Sequence, residues 1–108
     1  MLYICITMRD LIIQLMNKII IPKYPYINYH VVASNDLGWN RSFGYEVSIR
    51  MKDFENNKEN QKELVKDVEM ILFALGLKKG YNGYLLRVNG KGYDYLTDRR
   101  YIKIIGIE

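Results

Sequence analysis

The chain has 108 residues, of which 49% are apolar, 16 are basic and 12 are acidic, for a formal net charge of +4. This length excludes a second core of ordinary size, and the apolar fraction, with two prolines and eight glycines, excludes bulk disorder. Cys5 and His30 are the only cysteine and histidine, which excludes an intrachain disulfide and a structural zinc site of four such ligands. The sequence therefore predicts one domain, residues 1–108, that needs neither.

Residues 1–21 are apolar enough to raise the question of a signal peptide or a membrane span. Polar residues interrupt this stretch at helical spacing and no small-residue cleavage site follows, so we interpret it as an amphipathic helix and expect an intracellular protein. The helix should begin at Met8 and end before Pro22, because proline lacks an amide proton. Residues 1–7 are then an N-terminal extension or a short strand. The predicted buried stripe contains Leu11, Ile12, Leu15, Met16 and Ile19.

Two strands are predicted next. Residues 29–34 have strand composition, and Asn35, Asp36 and Gly38 then favour a turn. A polar and aromatic run at residues 39–44 leads to the second strand. There the apolar residues Tyr45, Val47, Ile49 and Met51 alternate with polar ones, as in a strand with one buried face.

A long helix is predicted after a cap at Asn56 or Asn57, and Gly76 should end it in a left-handed conformation. Its buried stripe should contain Leu64, Val68, Ile71, Leu72 and Leu75. The opposite side carries two charged ridges, in which Glu59 and Glu63 can pair with Lys62 and Lys66 at i, i+3 spacing. These ridges are either a solvated face or a docking edge for a neighbouring subunit. Their members are Lys58, Lys62 and Lys66 beside Glu59, Glu63 and Asp67.

A hairpin is predicted from residues 84–88 and 91–95, with Asn89-Gly90 as a type I′ turn. A last strand should span residues 101–107. The order of elements predicts an α+β fold, with an antiparallel sheet of four or five strands packed against two helices.

Residues able to carry catalysis are few and separated. A nucleophile at Cys5 would need His30 as its base, and His30 belongs to a predicted strand. Asp94 and Asp98 lie near two arginines, but no third acid follows at metal-ligand spacing. The glycines after the long helix do not form a phosphate loop, since such loops precede a helix. We therefore expect a protein that is not an enzyme, with no catalytic residue, cofactor or metal.

The chain resembles the small tail terminator (tail-completion, head–tail joining) proteins of long-tailed bacteriophages. The residues that carry this resemblance are the helix MRDLIIQLMNKI with the extended KYPYI, the alternating strand GYEVSIRMKDF, the helix QKELVKDVEMILFALGL, the NG hairpin and the closing apolar strand. The resemblance covers residues 8–108 and is one of element order and polarity. It implies a homo-hexameric ring that caps the tail tube, joins it to the head connector, and lets DNA pass without specific binding.

The resemblance further implies a virion protein assembled in the host cytoplasm, without membrane contact. A ring needs lateral contacts, for which we expect Trp39, Arg41 and Phe43, although Trp39 and Phe43 can instead pack into the core. The charged ridge of the long helix is the second candidate contact, with Lys58, Lys62, Lys66, Glu59 and Glu63. Three alternatives stay open: a head-completion protein or an inhibitor of host defence, a nucleic-acid-binding domain that uses the basic residues between 78 and 103, and a small enzyme.

Overall fold

The computed structural model describes residues 7–37, 42–51, 58–80, 82–85, 88–89, 92–93 and 101–108. Helices pack on one antiparallel sheet, so the predicted α+β class is confirmed. The helical elements are α1 (Met8–Leu15), a π-helical turn (Met16–Ile20), α2 (Ile21–Lys23) and α3 (Lys58–Ala74). The strands are β1 (Ile27–Leu37), β2 (Ser42–Met51), β3 (Lys78–Lys79), β4 (Gly83–Leu85), β5 (Val88–Asn89), β6 (Gly92–Tyr93) and β7 (Tyr101–Ile107).

Helix α1 begins at Met8, as predicted, because Thr7 and Asp10 form a reciprocal capping box. The Asp10 amide donates to Thr7 Oγ1 at 3.1 Å, and the Thr7 amide donates to Asp10 Oδ2 at 3.3 Å. Further along, Arg9 Nε donates to the carbonyl oxygen of Val31 at 2.8 Å, which attaches α1 to β1.

The predicted end of the first helix before Pro22 is wrong, because helical structure continues to Lys23. Pro22 lies in the first turn of α2, directly after the π turn, where a missing amide proton removes no regular α-helical bond. The π turn also changes which residues are buried, and Ile19, predicted in the core, is 49% exposed. The buried side chains recur every four residues: Ile12, Met16, Ile20 and Tyr24.

A four-residue repeat does not stay on one face of a regular α-helix. Each step of four residues overshoots a full turn by about 40°, so the stripe would leave the sheet within a few steps. The wider π turn offsets this drift at its centre. Ile20 and Tyr24 therefore remain in the core, where they are 0% and 3% exposed.

The main sheet has the order β1-β2-β7-β3, with β4 also paired to β7. Val47 in β2 pairs with Val31 on one side and with Ile104 on the other, and all three are buried. The predicted alternation of β2 is confirmed for Tyr45, Val47 and Ile49; the burial of Met51 lies outside the described residues. The inner face of the sheet and the helices thus share one core.

Strand β1 is longer than predicted. Asn35 and Asp36, assigned to a turn from sequence, belong to the strand. The pairing of β1 with β2 shifts register between Ser34 and Leu37, and an irregularity of this kind accommodates extra residues within a strand. Gly38 lies outside the described residues.

Helix α3 follows its prediction closely. Leu64, Val68, Ile71 and Leu72 are buried, and Leu75 packs half-buried against the core just past the helix. Gly76 has φ +85°, which confirms the left-handed end. Its amide donates to the Phe73 carbonyl at 2.9 Å and the Leu77 amide donates to the Leu72 carbonyl at 3.0 Å, the two bonds of a Schellman motif. The predicted caps at Asn56 and Asn57 lie outside the described residues.

The predicted hairpin needs correction. Gly83–Leu85 pairs with β7, whereas Val88–Asn89 pairs with Gly92–Tyr93 in a separate small sheet. Asn89 is opposite Gly92, so it belongs to a strand and Asn89-Gly90 is not the two-residue turn. Gly90 and Lys91, which lie between these two strands, are outside the described residues. Strand β7 confirms the prediction for residues 101–107.

Candidate interaction surfaces

The first predicted contact surface is represented by Phe43, because Trp39 and Arg41 lie outside the described residues. Phe43 is 41% exposed and packs edge-to-face on Tyr45, with 5.5 Å between ring centroids. Its carbonyl oxygen accepts a hydrogen bond from the Glu108 amide at 3.0 Å. The alternative of a core position is therefore wrong for Phe43, and its role in an interface stays a prediction.

The second predicted surface is the outer side of α3. Glu59, Lys62, Glu63 and Lys66 are exposed there, whereas the Lys58 side chain lies outside the described part of the chain. The predicted Glu63–Lys66 pair is wrong, because Glu63 is paired with Lys23 of α2. Within the described residues the ion pairs of α3 run to other elements, to Lys23 of α2 and to Lys79 of β3.

Lys23 joins α2 to α3 through two acids, an arrangement we name the α2–α3 clasp. Lys23 Nζ lies 2.7 Å from Glu63 Oε1 and 3.0 Å from Asp67 Oδ2, and the Tyr24 hydroxyl donates to Asp67 Oδ2 at 2.9 Å. The hydrogen bonds to Glu63 and Asp67 raise the pKa of Lys23 above its ordinary value. Burial, together with the hydrogen bond to Asp67, raises the pKa of Tyr24 to about 12. The clasp is thus a structural contact that uses part of the predicted acidic ridge.

A further surface lies between the C-terminal half of α3 and β3, and we name it the α3–β3 groove. It has a volume of about 340 Å³. Met70 and Phe73, which line it, are 69% and 79% exposed. Lys79 Nζ lies 3.5 Å from Glu69 Oε2 across it. The complete lining is Lys66, Glu69, Met70, Leu72, Phe73, Leu77, Lys78, Lys79 and Ile105.

The sequence prediction missed this groove, although a signal was present. Met70 and Phe73 are apolar, three residues apart, and both lie outside the stripe that was assigned to the core. Large apolar side chains off the buried stripe of a helix indicate a second contact surface. The strand β3, the other wall of the groove, has only two residues and left no periodic signal.

The outer face of the sheet carries mostly polar side chains in register across β1, β2 and β7. Ser48 is opposite His30 on one side and Lys103 on the other. Lys103 Nζ lies 2.9 Å from Glu46 Oε1. His30 is in a strand, as predicted, and is exposed. Cys5, Asp94 and Asp98, the other residues considered for catalysis, lie outside the described residues.

Neither a metal site nor a membrane span emerges from the part of the chain that the structure describes. No three His, Cys, Asp or Glu side chains there form a group able to hold a metal ion. None of the helices there combines the length and the hydropathy required to cross a bilayer.

Comparison with protein-family models, with curated proteins and with solved structures finds no match in any of the three.

Proposed function

We propose that this chain is a structural protein of the bacteriophage virion, a tail terminator. In this proposal six copies form a ring that caps the tail tube and joins it to the head connector, and DNA passes through without specific binding. The contacts are non-catalytic. The proposal is supported by the resemblance in element order and, from the structure, by the placement of the two candidate contact surfaces.

The structural observation behind this proposal is that Phe43 and the first members of the α3 ridge, Glu59 and Lys62, lie toward opposite ends of α3. Lys78, just after α3, pairs with Ile107, and Ile107 also pairs with Gly44, the neighbour of Phe43. The C-terminal end of α3 is therefore close to the Phe43 end of the sheet. Helix α3 has 17 residues and so is about 25 Å long. Its first five residues, which include the exposed Glu59 and Lys62, are at the other end of the helix.

Opposite placement suits a ring. A closed ring with rotational symmetry joins copies head to tail, so each copy must present two different patches that face away from one another. Phe43 supplies an apolar aromatic contact, and Glu59 and Lys62 supply charges at the other end. A charged contact at the surface weakens as salt screens it, so the ring should be less stable at high ionic strength.

The test is native mass spectrometry of the protein, combined with electron microscopy of tails assembled in its presence. We expect a closed ring of six, seen at the head-proximal end of the tube. Phe43→Ser should reduce the hexamer, and Ile19→Ser, an exposed apolar residue elsewhere, should leave it unchanged. A strict monomer that never occurs at a tail end would overturn the proposal.

A second candidate is an interaction module that acts as a monomer, either a head-completion protein or an inhibitor of host defence. The α3–β3 groove favours it, because one copy alone can present this apolar surface to a partner. The two candidates differ in mass in solution, which size-exclusion chromatography with light scattering measures directly. A monomer that binds a host protein through the groove would support the second candidate.

A further inference from the structure

We propose that the α3–β3 groove is a peptide-binding site for an extended, acidic segment of a partner protein that carries one or two large apolar side chains. This inference goes beyond the tail terminator proposal, since it concerns a single chain and holds whether or not six copies form a ring.

The apolar lining of the groove determines the first property of its ligand, which must present apolar side chains. Met70 and Phe73 are both more than two-thirds exposed, and they adjoin the buried Leu72 and Leu77. A concave apolar surface of a few hundred cubic ångströms is typical of sites that receive apolar side chains. The lining has a single aromatic ring, Phe73, whereas sites for single-stranded nucleic acid use successive stacking rings. The groove therefore favours a peptide over a nucleic acid.

The neighbouring strand sets the second requirement. Among the described residues β3 pairs with β7 and with no other strand, so it is at the edge of the main sheet. An extended segment can add beside such an edge through main-chain hydrogen bonds. Alternate side chains of that segment point to one side of the strand. They can then enter the groove against Phe73 while the main chain follows Lys78 and Lys79.

The rim sets the third requirement. Lys66, Lys78 and Lys79 are exposed at the groove, and Glu69 is the one acid among its lining residues. Glu69 is paired with Lys79, so three positive charges against one negative charge leave the rim net positive. Carboxylates flanking the apolar side chains of the partner complement this charge, which raises both the association rate and the discrimination against basic segments.

The binding test uses the full chain and a fluorescently labelled eight-residue peptide, with leucine at two alternate positions and glutamate at the others. We expect saturable binding by fluorescence anisotropy that weakens with added salt. Three probes serve as controls: the same peptide with lysine for glutamate, the same peptide with serine for leucine, and an oligodeoxythymidylate of eight nucleotides. Each should bind at least about tenfold more weakly.

Variants locate the site. Phe73→Ser and Lys78→Glu should each weaken binding of the acidic peptide by about tenfold. Ile19→Ser and Lys18→Glu change exposed residues outside the groove and should bind like the parent. Nuclear magnetic resonance should show the amide shifts of Lys78 and Lys79 changing on titration, because the added strand pairs there.

Three results would overturn the inference. Phe73→Ser could bind the acidic peptide as tightly as the parent, or the oligonucleotide could bind more tightly than the peptide. The groove could also be covered by a second copy of the chain, in which case the parent self-associates, Phe73→Ser does not, and no peptide binds. Failure to form a ring of six affects none of these measurements, so the two proposals can fail separately.

Discussion

Over its second half, α3 has large apolar side chains on both its inner and its outer face, yet the inner ones are buried and the outer ones are exposed. On the inner face Val68 and Leu72 are buried in the core, with 0% and 3% exposure. On the outer face Phe73 is 79% exposed and Met70 69%. Position on the helix, and not residue type, decides which side chains belong to the core, because only one stripe of a helix can face the sheet.

The difference between the two faces also separates the side chains that stabilise the fold from those that are available for binding. A buried aliphatic side chain contributes about 1.5–3 kcal/mol relative to an exposed one. An exposed Phe73 gives up most of that gain in the isolated chain and can recover it on contact with a partner. Substitutions on the two faces test whether they are as different as the structure indicates.

The inner face should be intolerant of charge. Val68→Asp places a carboxylate among apolar side chains with no partner, and we expect a loss of about 3–5 kcal/mol in the free energy of unfolding. Urea denaturation followed by circular dichroism measures this loss. A variant that melts like the parent would show that the inner face is assigned wrongly.

The end of α3 should be sensitive to backbone conformation. Gly76 has φ +85°, and a residue with a Cβ atom loses about 1–2 kcal/mol in the left-handed region. Gly76→Ala should destabilise by that amount and Gly76→Asn by less, since asparagine tolerates this region better. Equal losses for both variants would indicate that space, and not the dihedral angle, restricts this position.

The α2–α3 clasp should stabilise the folded state at neutral pH and lose this stabilisation at alkaline pH. Removing the hydroxyl in Tyr24→Phe breaks the hydrogen bond to Asp67, for an expected loss of about 1 kcal/mol. Because folding raises the pKa of Tyr24 from 10.0 to about 12, the neutral phenol is favoured in the folded state. This stabilisation is complete below pH 10 and is lost as the pH rises through 12.

The measurement for the clasp is the free energy of unfolding between pH 9 and 12. The raised pKa of Lys23 acts in the same direction, so the parent should lose stability across this range and Tyr24→Phe should lose less. Parallel profiles for parent and variant would exclude Tyr24 as a source of the alkaline loss.

The outer face should tolerate polar substitution. Phe73→Ser and Met70→Ser remove exposed apolar surface, and we expect changes within about 0.5 kcal/mol in the free energy of unfolding. The same urea titration measures them beside Val68→Asp. A loss above 1 kcal/mol for Phe73→Ser would mean that its ring supports the fold and that the two faces are not distinct.

Sequence reasoning succeeded where a pattern repeats over many residues. The alternation around Val47 and the stripe around Val68 both predicted the buried side correctly, since each pattern has one period and one sheet to face. Gly76 was predictable from its place at the end of the stripe. The exposed surface at Phe73 could have been predicted by the same reasoning, because Phe73 is a large apolar residue of α3 that does not belong to the buried stripe.

The failures have local causes. Pro22 suggested a helix end, but a π turn before it supplied a different hydrogen-bond pattern, and nothing in residue composition specifies such a turn. Asn89 suggested a turn, but Asn89 pairs with Gly92 and so belongs to a strand. The pair Lys23–Glu63 joins residues distant in sequence, so the local ridge of α3 alone could not reveal it.

One hydrogen bond has a consequence for solubility. The guanidinium of Arg9 donates a hydrogen bond to the carbonyl oxygen of Val31 in β1. Among the described strands, β1 forms the edge of the main sheet opposite to β3. Unprotected edge strands template the addition of further strands and so lead to fibres. A cation fixed against the middle of β1 obliges any incoming strand to break a charge-assisted bond first. Arg9 therefore hinders the addition of further strands at β1 and so opposes open-ended aggregation.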